Sequence, residues 1–189
     1  MGFRFWSNPY AEPKRQYKYL VRMEGLQPFL VSKCSRPSIK IGETSHKFLN
    51  HTFYYPGVLE WEPVSMTLVD PGDGQSPNSD VTKYLFQKLT DHGYRIPDTP
   101  QPGGVSELSD DTISKGLAVN TLGTISIETL HANPQKVEQQ EFEDVTDVAE
   151  RWELVNPWIL DIKWGEFDYS GEDLLQLDLT IRYDFARLY

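Results

Sequence analysis

The clearest pattern in the chain is a strict alternation near its end. From Leu175, the apolar residues Leu175, Leu177, Leu179, Ile181, Tyr183 and Phe185 alternate with Gln176, Asp178, Thr180, Arg182 and Asp184. Successive side chains of a strand point to opposite faces, so this predicts one strand of about eleven residues, half buried and half wet. Trp158, Leu160, Ile162 and Trp164 alternate as well, and Tyr169 to Asp173 supply the turn between the two runs. A long antiparallel hairpin follows, with one apolar face for a core and one polar face for water or a partner.

Upstream the pattern predicts further strands and one helix. Residues 1–16, with Pro9 and Pro13, read as an N-terminal arm, and Tyr17, Tyr19, Val21 and Met23 alternate in a short strand. Ser32 to Lys40 reads as a turn region feeding a strand around Ile39 and Ile41. The segment HKFLNHTFYYPGVLEWEPVSMTLVDP reads as two strands joined at Pro56-Gly57, with Val64, Met66, Leu68 and Asp70 on one face of the second. Pro63 has no N–H to donate and implies a bulge or an edge there. After a loop from Asp70 to Ser79, a helix is predicted near residues 80–92. Asn78, Ser79 or Asp80 is its cap, Gly93 its stop, and Val81, Tyr84, Leu85 and Leu89 its buried face. Residues 96–115 hold Pro97, Pro100, Pro102, Gly103 and Gly104 and read as a long loop. From Gly116 through Val119 and Leu122 to Leu130 the reading is strand, and the acidic segment Glu138 to Glu150 fits either helix or strand.

Length and charge narrow the class. The 189 residues fit a single domain, 1–189, able to bury a core without covalent staples. The one cysteine, Cys34, permits no internal disulfide. No apolar run approaches the ~20 residues that span a bilayer, so no membrane anchor is expected. The N-terminus lacks an apolar core of signal-peptide length. The net charge of −10 is unevenly placed: the first fifty residues carry 9 Lys and Arg against 3 Asp and Glu, and residues 128–189 carry 5 against 15. A basic beginning and an acidic end suit head-to-tail association of copies. The acidity argues against tight nucleic-acid binding, which needs clustered cations.

No convergent catalytic set emerges, and neither an enzyme nor a metal or other cofactor is expected. His46, His51, His92 and His131 are scattered, with His46 and His51 placed on opposite faces of one strand. DPGDGQSPNSDV lacks the alternating ligands and closing Glu of a calcium loop. Glu60, Glu62 and Glu166 sit beside tryptophans, as in a carbohydrate-binding or glycosidase sandwich. Solvated strand faces account for them more simply, since nothing sets two carboxyls at about 5 Å. Cys34 reads as an inert thiol.

WELVNPWI together with IKWGEFDYSGEDLLQLDLTIRYDFA resembles the C-terminal part of the tail tube proteins of contractile-tailed (T4-like) bacteriophages. That fold family includes baseplate tube initiators and injection-system tube proteins. HKFLNHTFYYPGVLEWEPVSMTLVD is similar to its central segment, DVTKYLFQKLTDHGY to its single helix, and LGTISIETL to the strand that leads on to Trp-x-Leu-x-Asn-Pro. The basic N-terminal arm and the expanded loop around Pro97 to Lys115 depart from the pattern. The resemblance implies a mainly β fold, a β-sandwich or split barrel of two packed antiparallel sheets with one flanking helix. It further implies hexameric rings stacked head to tail into the inner tube of a virion, made in the host bacterial cytoplasm. Implied partners are the tail sheath, the baseplate or tube initiator and the tail terminator. Genomic DNA would pass through the lumen without specific binding. Gln176, Asp178, Thr180, Arg182 and Asp184 would then face the lumen. A baseplate initiator of the same fold is the alternative.

Overall fold

A computed structural model describes residues 13–71, 80–94, 113–131 and 148–189. Among these residues ten strands form two four-stranded antiparallel sheets and a separate two-stranded ribbon. The first sheet has the order β1 (Tyr19–Arg22), β6 (Ile125–Leu130), β7 (Val148–Val155), β10 (Phe185–Leu188). The second has β2 (Val31–Cys34), β5 (Val64–Val69), β9 (Gln176–Arg182), β8 (Trp158–Lys163). Between them lies one apolar core, to which β1, β6 and β7 give Val21, Ile127 and Leu154, and β5 and β9 give Val64, Met66, Leu68, Leu177, Leu179 and Ile181. The mainly β fold of packed antiparallel sheets is therefore as expected, and among the described residues no sheet closes into a barrel.

The predicted C-terminal hairpin is present, but it bends across both sheets. β8 pairs with β9 from Trp158–Arg182 to Lys163–Asp178, and β7 pairs with β10 from Val155–Phe185 to Trp152–Leu188. Only Asn156 and Pro157 separate β7 from β8, and only Tyr183 and Asp184 separate β9 from β10. Asn156 takes a left-handed φ of 53° at this corner. Its Nδ2 donates to Asp184 Oδ2 at 2.8 Å, while the Asp184 N–H donates to the Val155 carbonyl at 3.0 Å. The eleven-residue strand is thus a seven-residue strand and a four-residue one. Alternation holds through buried Leu177, Leu179, Ile181 and Tyr183, then slips at the corner, so that Ala186 packs on the core and Phe185 is exposed. A slip of one residue moves a strand's side chains to the other face.

Three local readings change. The hairpin turn upstream falls at Leu49-Asn50, where Leu49 has φ 54°, and Pro56-Gly57 lies within β4 (His51–Glu62), opposite β3 (Ser38–Phe48). Part of the turn region Ser32 to Lys40 is the strand β2. The expected helix is α1 (Val81–Asp91), capped by Asp80, whose side chain accepts from the Lys83 N–H at 3.0 Å. Asp70 accepts from the Val81 and Thr82 N–H groups and ties the helix to the end of β5. A second helix, α2 (Lys115–Leu122), replaces the strand expected from Gly116. Ser114 caps it, and Ala118 and Leu122, four apart, supply its buried face. Most of the 96–115 loop and of Glu138 to Glu150, and residues 1–12 of the arm, lie outside the described residues.

Candidate self-association surface

β3 and β4 form a ribbon of eleven and twelve residues, paired from Ser38–Glu62 to Phe48–His51. At about 3.4 Å per residue its strands run for roughly 35–40 Å. Every residue of both strands is exposed except half-buried Trp61, whose ring meets that of Tyr183 at a tilt of 58° and 6.0 Å between ring centres. Nine large apolar side chains are nonetheless carried here: Ile39, Ile41, Phe48 and Leu49, then Phe53, Tyr54, Tyr55, Val58 and Leu59. Leu49 and Val58 are 87% and 78% exposed. A bare two-stranded hairpin is marginal in water, and an apolar surface of this extent marks a contact site.

A β-bulge organises the ribbon. Between Ile41–Leu59 and Glu43–Pro56 the register shifts, since β4 spends one more residue than β3. Near the base, Ile39 and Ile41 share a face with Trp61 and Leu59. Beyond the bulge that face continues through Ser45 and Tyr54, and the opposite one carries Phe48, Phe53 and Tyr55. A bulge exchanges the sides of a strand, so both faces of the ribbon are apolar in different stretches. Gly57 lets the strands close up: a Cβ there would lie 3.1 Å from the backbone C and O of Gly42. The run Phe53-Tyr54-Tyr55 signals this from sequence alone, because three successive aromatics cannot all face one side of a strand.

The predicted polar stripe divides. Gln176, Asp178, Thr180 and Arg182 share the face of β9 opposite the buried leucines. Directly across on β8 stand Lys163 beside Asp178, Asp161 beside Thr180 and Trp158 beside Arg182. Thr67 Oγ1 on β5 donates to Asp178 Oδ1 at 2.8 Å. The face is polar with mixed charge. Asp184 stands apart at the corner, accepting from Lys115 Nζ at 2.7 and 2.8 Å and from Asn156. The Lys115 ammonium, followed by the Asn156 amide, holds its carboxyl below the usual range.

The groups weighed for chemistry do not converge. His46 and His51 lie on different strands of the ribbon, facing Phe53 and Phe48, and His92 is buried beyond the end of α1. Glu60 and Glu62 lie on exposed β4, whereas Glu166 follows β8 in a loop. Among the described residues no three His, Cys, Asp or Glu side chains are grouped to hold a metal ion. Burial pushes the Cys34 thiol up to about 12, which keeps it protonated and unreactive. A buried ion-pair cluster away from the ribbon has no local signature in the sequence. Glu128 on β6 is buried between Arg22 (3.1 Å) and Arg151 (2.8 Å), one on each neighbouring strand.

This architecture is that of chains found in contractile injection machines. No protein-family model and no curated protein matches the sequence. Solved structures do match. A chain in the PVC sheath/tube terminator of an extracellular contractile injection system superposes with a TM-score of 0.57 at 14% identity, covering 94% of this chain and 97% of that one. A chain in the anti-feeding prophage baseplate gives 0.56 at 13% identity, over 94% and 96%. One in the PVC sheath–tube complex gives 0.55 at 13%, over 94% and 91%. Identity at this level speaks for a shared fold, and the coverage extends it to nearly the whole of each chain.

Proposed function

We propose that this protein is a structural subunit of a contractile tail, which closes into hexameric rings that stack as the inner tube. The observation that carries this reading is the β3–β4 ribbon, whose apolar side chains are exposed and have no cover among the described residues. A neighbouring copy supplies that cover, and ring closure also removes the free strand edges that would otherwise invite uncontrolled pairing. In a phage tail the tube would conduct DNA at ejection, with sheath, baseplate and terminator as partners. The face of Gln176, Asp178, Thr180 and Arg182 is the candidate lumen wall. Its mixed charge offers no cation cluster for phosphates to grip.

Tube subunit and baseplate initiator share this fold, and the structural neighbours come from baseplate, tube and terminator assemblies alike. Electron microscopy of the purified protein at rising concentration tests self-assembly. Rings or tubes of constant bore are expected, and monomers at every concentration would sink the reading. Copy number in the native particle then separates the roles, many rings for a tube subunit and a single ring for an initiator.

A further inference from the structure

We propose that the cleft at the open edge between the two sheets is a socket for the β8–β9 loop of a second copy. This rests on the self-association reading and assigns it a second contact, distinct from the ribbon. The cleft, about 450 Å³, opens where β1, at the edge of one sheet, stands beside β2, at the edge of the other. Five cations line it: Lys14, Arg15, Lys18, Lys33 and Arg36. Tyr19, half-buried Cys34 and buried Ile127 form its apolar part. No carboxylate is among the described residues lining it. Among the described residues, Glu150 reaches in from β7, pairing with Lys14 and, at 3.5 Å, with Arg36. Among those residues the cleft therefore holds more cations than carboxylates, around an apolar interior.

The loop between β8 and β9 has the opposite character. Residues 164–174 hold four acids, Glu166, Asp168, Glu172 and Asp173, and no base. They also hold two aromatic side chains with almost no contact to the subunit: Phe167 is 90% exposed and Tyr169 wholly so. The loop is nevertheless shaped. Gly165, at φ 81°, turns the chain so close over β9 that a Cβ would lie 2.3 Å from the Gln176 carbonyl oxygen. Asp168 Oδ1 accepts from the Ser170 N–H at 2.9 Å and from its hydroxyl at 2.7 Å, fixing the turn around Tyr169. Aromatic rings held out of their own fold beside acids match a basic cleft with an apolar interior.

The loop belongs to another copy because its own socket lies across the sheet. β8 and β2 are opposite edges of the second sheet, three strand spacings or roughly 14 Å apart. One copy thus presents a loop at one edge and a socket at the other, the arrangement that joins subunits head to tail.

Charge reversal tests the pairing. Lys33→Glu with Arg15→Glu alters the socket, and Glu172→Lys with Asp173→Lys alters the loop without touching the Asp168 turn. Each pair of substitutions should raise the concentration needed for assembly at least about tenfold at low salt, by like-charge repulsion. All four in one chain should restore it to within a few-fold, with circular dichroism and melting temperature unchanged throughout. Tyr169→Ala, at an exposed tip, should also impair assembly with no change in fold. Reversal variants that assemble like the parent protein, or a combined chain as defective as its two halves, would overturn the socket and leave ribbon-mediated assembly standing. A parent protein that never assembles would overturn both.

Discussion

β4 and β5 are neighbours in the chain, separated only by Pro63, yet they live in opposite conditions. β5 alternates buried and open residues, with Val64, Met66 and Leu68 sealed in the core. β4 is as rich in β-formers, and almost none of it is covered. Strand propensity is the same on both sides of the proline; what differs is the supply of a second layer. Half-buried surfaces are what β-branched and aromatic residues fit, so β5 contributes its stability inside the subunit. β4 can contribute only when another surface closes over it.

The strongest way to sharpen this contrast is to cut the same kind of side chain on each side. Leu179→Ala on β9, facing Met66 on β5, removes a fully buried side chain and should cost about 2–5 kcal/mol of monomer stability. Denaturant titration measures it. Phe53→Ser on β4 should change monomer stability by less than about 0.5 kcal/mol, while abolishing assembly in sedimentation. A large loss of monomer stability from Phe53→Ser would show that the ribbon is already packed within its own subunit, and would break the comparison.

A smaller effect is expected where the backbone, not a side chain, sets the shape. Gly165→Ala forces a left-handed conformation on an alanine and pushes its Cβ against the Gln176 carbonyl. A cost of about 1–2 kcal/mol or more is expected from the conformation alone. Because β8 must also shift against β9, the loop beyond should lose its fixed turn. Hydrogen exchange at the Ser170 amide, bonded to Asp168, reads that loss directly. A variant as stable as the parent, with unchanged exchange, would mean that the close approach at Gly165 is dispensable.

How much of this was legible in the sequence follows from which forces act locally. The alternation of Leu177, Leu179 and Ile181 is a periodicity, and it appears in the fold unchanged. So does α1, where Asp80 and Gly93 mark the ends in the chain itself. The corner at Asn156-Pro157 and Tyr183-Asp184 was not legible as a bend, because Tyr183, Asp184 and Phe185 keep the apolar-polar rhythm of β9 across it. Only the pairing of two sheets reveals the slip that turns Phe185 outward. α2 hides in the sequence because Val119 and Leu122 run on into the apolar strand that follows, while Ala118 and Leu122 keep helical spacing. Pro56-Gly57 looks like a turn but lies within a strand, where Pro56 pairs with Glu43 and Gly57 and Val58 stand opposite Gly42 in the bulge. The polar stripe of β9 was visible as a stripe, but its cross-strand neighbours Lys163 and Asp161, which make it mixed in charge, were not. The basic cleft was least legible of all. Its cations come from β2, from the segment before β1 and from the turn after β2, and only packing brings them together.

The smallest predicted effect sits at the boundary between covered and uncovered regions, in the last turn of α1. His92 is 2% exposed, its Nε2 lacks a hydrogen-bond partner among the described residues, and its N–H donates to the Lys88 carbonyl. Burial first, and the Lys88 ammonium second, push its imidazole below the ordinary value of 6.5, with Asp91 opposing them. The unfolded chain therefore binds a proton at a pH where the folded one does not. The neutral histidine leaves stability intact above about pH 6.5, and stability falls as pH drops below that value toward the depressed folded pKa. Melting temperature measured from pH 8 to pH 5 should decline across the lower half of that range. In His92→Phe the decline should flatten. Because the carboxylates of Asp80, Glu150 and Asp184 are held below their usual values, their own loss begins only at lower pH and leaves this window to the histidine. Phe53→Ser should leave the pH profile of the monomer untouched, since Phe53 is exposed and takes no part in the core. An equal decline in His92→Phe would place the titrating group elsewhere.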